Sequence, residues 1–272
     1  MPSVERILAT RIATGARAIS RSPFLVGICG AQGSGKTTLS AQLQALLEGD
    51  GLTVVVLSID DLYLTRETRA ALGKRVHPLL QTRGVPGTHD VELGLAVIEA
   101  LRHAGKVSIP EFDKASDDRV PSTKWRQVDA PVDIIILEGW CVGATPQSES
   151  ALLTPINDWE LTFDPDGAWR RFVNQALAGR YQRLFSQIDL LILLKAPAFD
   201  VVFGWRLEQE QKLRETVEKQ GRRSAHVMSD AEVLHFISHY ERLTRHILSE
   251  MPARADVLVA LDTSRQPTVL RL

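Results

Sequence analysis

The chain has 272 residues, 44% of them hydrophobic and 24% charged, with a formal net charge of −1. This is ordinary globular composition, long enough for one large α/β domain or one domain with insertions. The near-neutral balance excludes a bulk electrostatic case for nucleic acid or an anionic membrane as partner.

Only two cysteines occur, Cys29 and Cys141. Neither sits in a metal-ligand or C-x-x-C spacing, so free thiols in a reducing cytoplasm are expected. The longest apolar runs, such as 188–198, contain Asp189 and Lys195 and are too short to span a bilayer. Residues 3–20 carry Arg6, Arg11 and Arg17 with a single acid, a faint likeness to a transit peptide. The pattern predicts a short amphipathic helix within 1–22, docked on the domain. No apolar core of a secretory signal is present.

An apolar run over 24–29 predicts a buried strand. It leads into Gly30-Ala31-Gln32-Gly33-Ser34-Gly35-Lys36-Thr37, then Thr38 and a helical segment over 37–48. Strand, glycine loop, Lys-Thr and helix are the context in which the P-loop pattern G-x-x-x-x-G-K-[ST] has a mechanism. Glycines let the loop curl so that successive N–H groups face phosphate oxygens, and the helix N-terminus adds partial positive charge. Lys36 is expected to reach the β and γ phosphates and Thr37 to ligate Mg2+. Residues 30–38 are therefore the candidate ATP-binding segment.

After a stop at Gly49-Asp50-Gly51, residues 53–59 read as a second buried strand ending in Asp60-Asp61. Residues 62–89 read as a long irregular segment, and Asp90 as the cap of a helix over 91–103. A short extended piece at 107–110 precedes a charged loop over 111–119. Residues 131–139 form a β-branched run ending in Glu138, the pattern of a doubly covered parallel strand. Residues 144–165 read as loop or short helix, 169–183 as helix and 188–195 as a fourth strand. A polar helix over 199–220, closed by Gly221, a helix over 230–251 and a fifth strand over 256–262 complete the chain. The alternation predicts an α/β P-loop NTPase fold, with a five-stranded parallel sheet flanked by helices. One domain spanning 1–272 is expected, with a substrate-loop insertion at 62–125 and a lid-like helix at 199–221.

Phosphoryl transfer needs charge neutralisation, a metal and a group that accepts or orients the nucleophile's proton. Asp60 and Asp61, at a strand's C-terminal end, are placed to accept a hydroxyl proton or to hold Mg2+ through water. Glu138 stands where the second-motif acid belongs, reaching either metal or substrate. Arg206 and Arg214 lie two turns apart on the polar helix, as a lid over the transferring phosphate would have them. Glu208, Glu210, Glu215 and Glu218 leave a merely salt-bridged helix open. Lys36, Asp60, Glu138 and Arg206 are thus the catalytic candidates, and Thr37, Asp60 and Glu138 the metal candidates. Arg83, His89, Lys114 and Arg119 suit a small anionic substrate such as a carboxylate. Asp61, Tyr63 and Thr88, on the same segments, belong to this acceptor set.

The P-loop with Leu57-Ser58-Ile59-Asp60-Asp61-Leu62-Tyr63 resembles the uridine kinase, phosphoribulokinase and pantothenate kinase branch of P-loop kinases. That resemblance implies Asp60 as catalytic base. Residues 83–90, Ile109-Pro110-Glu111-Phe112-Asp113-Lys114, Leu137-Glu138-Gly139-Trp140, 205–210 and 228–233 resemble the D-glycerate 3-kinase family of plants, fungi and bacterial relatives. The resemblance covers about residues 24–265 and is weaker over 144–185 and 239–244. It implies ATP-dependent phosphorylation of glycerate to 3-phosphoglycerate. Nucleoside, pantothenate-like and sugar-phosphate acceptors stay open, as does a nucleotide-dependent switch. Against the switch stand the missing Asn-Lys-x-Asp signature and the missing Cys/His cluster.

Overall fold

A computed structural model describes residues 2–19, 22–219 and 228–272. Helix α1 (Val4–Ala18) begins at Ser3, whose side chain accepts from the Arg6 N–H, and buries Leu8, Ala9, Ile12 and Ala13. Strand β1 (Phe24–Gly30) leads through the glycine loop into α2 (Lys36–Gly49) and then β2 (Val54–Ser58). Next come α3 (Arg66–Arg75), α4 (Val91–Ala100) and β3 (Gly105–Ile109). The short pair β4 (Phe112–Asp113) and β5 (Asp118–Arg119) precedes β6 (Arg126–Ala130) and β7 (Ile134–Gly139). The second half holds α5 (Asp158–Phe163), α6 (Ala168–Ala176), a π-helical turn at Leu177–Tyr181, and α7 (Gln182–Phe185). Strand β8 (Leu190–Lys195), α8 (Phe199–Lys219), α9 (Asp230–Arg254), β9 (Val257–Leu261) and β10 (Pro267–Arg271) finish the chain.

The main sheet runs β2-β7-β1-β8-β9-β10, parallel except for β10, which pairs antiparallel with β9. The five expected parallel strands are all present, and β10 adds a sixth at the edge. Strand period divides the core: Phe24, Val26 and Ile28 face one apolar cluster, Leu25 and Cys29 the other. With both faces covered, β1 is buried along its whole length. Because β1 is central, the chain crosses first to β2 and β7 and later to β8. That reversal opens a crevice at the strands' C-terminal ends, where open α/β sheets bind ligands.

Several elements depart from the periodicity reading. The region 62–89 is not irregular throughout, because α3 lies in it. Thr65 caps α3 by accepting from the Thr68 N–H, but its buried positions are Arg69, Leu72 and Gly73, so no apolar stripe marks it. The helix at Asp90, whose side chain accepts from Leu93 N–H, ends at Ala100 rather than 103. The expected helix over 169–183 is interrupted by the π turn. Strand β6 pairs antiparallel with β3 through mostly exposed polar residues, which hides it from hydropathy. Gly221, expected to close α8, lies outside the described residues.

Candidate active site

A cavity of about 550 Å3 lies at the C-terminal ends of β1, β2 and β7. The sheet register alone brings its parts together. Ile28 and Ser58 both pair with Glu138, so the P-loop, the Asp60 turn and Glu138 emerge at one level.

The loop after β1 is shaped by two glycines in the left-handed region, Gly33 (φ 78°) and Gly35 (φ 87°). Gly33 has no room for a side chain, since a Cβ there would stand 2.7 Å from Trp205 Cβ. The Ser34 hydroxyl and the Gln32 amide oxygen are buried without partners, polar groups turned to a loop built for a polar ligand. Lys36 Nζ donates to the Ala31 carbonyl at 3.2 Å, and the Thr37 hydroxyl donates to Glu138 Oε1 at 3.3 Å. Gln32, Gly33, Lys36, Thr37 and Glu138 line the cavity, whereas Gly30, Ala31, Ser34 and Gly35 build the loop behind it and Thr38 lies in the first turn of α2. This curl of N–H groups at a helix start fits a nucleotide's phosphates. Thr37 and Glu138, with Asp60 and Asp61 nearby, offer hard oxygen donors. Among the described residues no cluster of three or more His, Cys, Asp or Glu forms a complete metal cage. Sparse oxygen donors beside a phosphate site are what Mg2+ takes, most of its ligands being water and phosphate.

A second brace was not legible in the motif. Arg265 Nε donates to the Gly33 carbonyl at 2.8 Å, and its Nη2 pairs with Glu208 on α8 at 2.7 Å. Its guanidinium lies 5.3 Å above the Trp205 ring, whose Nε1 donates to the Thr263 carbonyl at 2.8 Å. The hairpin between β9 and β10 thereby fastens the P-loop to α8.

Asp60 sits in a single 3-10 turn, Ile59–Leu62, capped by the Ser58 hydroxyl. Tyr63 Oη donates to Asp60 Oδ1 at 3.0 Å and Lys114 Nζ donates to Oδ2 at 2.7 Å. Burial pushes the Asp60 carboxyl up, but the charge and hydrogen bond of Lys114, with a smaller contribution from Lys36, hold it below its ordinary value. Asp61 accepts from the Phe112 N–H at 3.2 Å. Burial, against that hydrogen bond, and then the charges of Asp60 and Glu138 raise it to about 6. Two adjacent carboxyls are thus pushed in opposite directions, the pattern of a reaction centre.

Arg83 lines the cavity beside Lys114, ion-paired with Asp117 and 5.5 Å over the Phe112 ring. Behind it, the fully buried Arg69 donates to the carbonyls of Leu64, Gln81 and Asp117 at 3.1, 3.0 and 2.6 Å. One guanidinium therefore stitches three stretches of the acceptor region. On the other wall, Arg206 pairs with Glu210 at 2.6 Å and lies 5.6 Å over Phe236. Arg214 is exposed, donates to the Met228 carbonyl at 3.1 Å and does not line the cavity.

Three expected acceptor residues stand behind the wall rather than in it. The Thr88 hydroxyl accepts from Gly84 N–H and donates to the Val85 carbonyl, fastening its own loop. Arg119 donates to the Tyr63 carbonyl at 2.9 Å and to Asp90 at 3.2 Å. His89 stacks on Tyr63 with centroids 4.4 Å apart and planes at 22°. Thr88 thus serves its own loop, while Arg119 and His89 position Tyr63. Residues not foreseen include Ser58, Gln209, Phe236 and Tyr240, the last two one turn apart on α9. Trp140, whose Nε1 donates to the Gly84 carbonyl at 2.9 Å, stands edge-on to Tyr240. Its only signal was its place directly after Glu138-Gly139.

Comparison with known proteins gives the site its relatives. Residues 25–145 match the Phosphoribulokinase / Uridine kinase family. The chain is 34% identical over 264 residues to the uncharacterized kinase mug58 of Schizosaccharomyces pombe, covering 91% of each protein. It is 30% identical over 263 residues to the chloroplastic D-glycerate 3-kinase of Arabidopsis thaliana, covering 90% of this chain and 54% of that one. A solved D-glycerate 3-kinase from Cryptococcus neoformans var. grubii superposes with a TM-score of 0.78 over 99% of this chain and 100% of its own, at 23% identity, a likeness of fold.

Proposed function

From a chain that belongs to the phosphoribulokinase and uridine kinase family, and is therefore an ATP-dependent kinase acting on a hydroxyl, we propose that the acceptor is D-glycerate and the product 3-phosphoglycerate. The observation that carries this reading is the pairing of Asp60 with Lys114 and Tyr63, beside Arg83, on the side of the cavity facing the P-loop. A carboxylate presented to Arg83 and Lys114 leaves a three-carbon acceptor's distal hydroxyl within the reach of Asp60.

In this reading the acceptor hydroxyl gives its proton to Asp60 as its oxygen bonds to the γ-phosphorus, and the bond from that phosphorus to the β,γ-bridging oxygen breaks to release ADP. A carboxylate held below its ordinary pKa suffices, because the transfer is loose and the proton leaves late. Tyr63 and Lys114 fix the orientation of the carboxylate. Lys36 lies along the phosphates, and Arg206 comes over the transferring group from α8, the lid of the site. Mg2+, held by Thr37 with Glu138 or Asp60 nearby, would neutralise phosphate charge.

Specificity constants across an acceptor panel test the reading. D-glycerate is expected to exceed uridine and ribulose 5-phosphate, which lack a carboxylate, by at least about 100-fold, the scale of a paired carboxylate lost from a site built for it, and also to exceed pantothenate, whose carboxylate lies much farther from its hydroxyls. Preference for any other acceptor of the panel would overturn the substrate and leave the kinase standing.

A further inference from the structure

Behind the Tyr63–His89 stack lies a second cavity, about 460 Å3, walled by α3, the start of α4, α6 and the π turn. Its lining shares no residue with the cavity that holds Asp60 and the P-loop. Leu64, Leu72, Val91 and Phe172 give it an apolar body, and no acidic residue lines it. Arg75 and Arg180 both open on it. Each has alanine four residues earlier and no acid three or four residues away, and among the described residues neither has a hydrogen-bond or ion-pair partner. Two unneutralised guanidinium groups facing one cavity without a carboxylate make an anion site.

His89 also lines this cavity. Gly87 N–H donates to Tyr181 Oη at 2.9 Å, and Oη lies 2.6 Å from His89 Nδ1. This hydrogen bond holds the imidazole against the π turn and leaves Nε2 as its other ring nitrogen. That nitrogen is buried and has no partner. An unmet buried polar atom is costly, so the ring is poised to respond when the cavity beside it fills. The π turn that presents Tyr181 to His89 is a helix irregularity frequent at functional sites.

We propose that this cavity binds a small organic anion, a carboxylate or phosphate monoester on an apolar body, and that its occupancy is transmitted to Asp60 through His89 and Tyr63. The connection is contiguous: His89 stacks on Tyr63, and Tyr63 donates to Asp60 Oδ1. Both ligand sources present the same planar or tetrahedral oxyanion to Arg75 and Arg180, and the apolar remainder lies on Phe172 and Leu72. Coupling between two such sites commonly changes the affinity at one by about 5- to 150-fold when the other fills.

The test is a ligand titration of the full chain, its nucleotide site saturated with a non-hydrolysable Mg·ATP analogue, followed through the His89 imidazole resonances. Benzoate, phenyl phosphate and neutral benzyl alcohol are the probes. Saturable binding of benzoate or phenyl phosphate, but not of benzyl alcohol, with a shift at His89 is expected; whichever anion binds identifies the head group. The double variant Arg75→Glu, Arg180→Glu is expected to weaken it at least about tenfold. Ala176→Phe, which fills the cavity and keeps both arginines, is expected to abolish it. Binding that survives both variants, no saturable binding of either anion, or a bound anion that leaves His89 unmoved would overturn the proposal. This readout needs no turnover, so it stands or falls apart from the identity of the acceptor.

Discussion

Lys36 points its ammonium at the loop's own Ala31 carbonyl, on the wall of the cavity the transferring group must cross. Lys36→Ala is expected to cut turnover about 1,000-fold, the scale of one lost transition-state donor, with an unchanged melting temperature. Turnover within a few-fold of the wild type would remove the lysine from the mechanism. Lys114 has a subtler signature. By holding the folded Asp60 carboxyl below its ordinary value, it contributes stability that is present above the ordinary carboxylate pKa and lost as pH falls through the depressed one. Lys114→Met releases that hold, so the acid limb of kcat/KM is expected to move to higher pH. A limb that stays put, or moves to lower pH, would sever Lys114 from the base. His89 and His239 are both pushed down to about 4 by burial, so between pH 4 and 6.5 the unfolded chain binds the protons. Stability is therefore expected to fall on acidification through that window, by about 1 kcal/mol per pH unit for each histidine. Urea midpoints at pH 7 and 5 read it directly, and a flat profile would contradict the buried, neutral state of both rings.

At the scale of elements, α3 and the acceptor loops hang on one buried cation. Arg69→Met keeps the volume but strands three carbonyls that the guanidinium now satisfies. The acceptor KM is expected to rise about tenfold or more while the nucleotide KM holds within about twofold, since the P-loop does not touch Arg69. Equal losses in both would mean that the insertion and the nucleotide site unfold together. The same residue explains why α3 was illegible: a charged side chain occupies the place of the apolar stripe that periodicity looks for. Strand β6 escaped for a related reason, since its pairing with β3 rests on exposed polar positions. The P-loop, the Asp60 turn and Glu138 were legible because phosphate binding requires particular residues at particular spacings in the chain. Phe236, Tyr240 and Arg265 were not, because they reach the site from elements far off in sequence. Thr88, His89 and Arg119 share the acceptor segments, and only their hydrogen bonds reveal that they serve the wall and not the cavity.

Over the whole molecule, the central position of β1 makes the rest coherent. Crossing to β2 and β7 gathers Asp60 and Glu138 on one side of the P-loop, and the later crossing to β8 brings α8 and α9 over the other. The hairpin that ends in β10 then ties the loop to α8 through Arg265. The family match extends over 25–145, the half that carries the P-loop and the acids. The walls from α8 and α9 lie beyond it and complete the cavity that Arg83 and Lys114 line, where acceptor choice is expected to reside. ADP release by the purified protein with Mg·ATP, with and without D-glycerate, tests this most directly. Strong stimulation by D-glycerate, with 3-phosphoglycerate as product and its loss in Asp60→Asn, is the expected result; ADP release indifferent to D-glycerate would contradict the assignment.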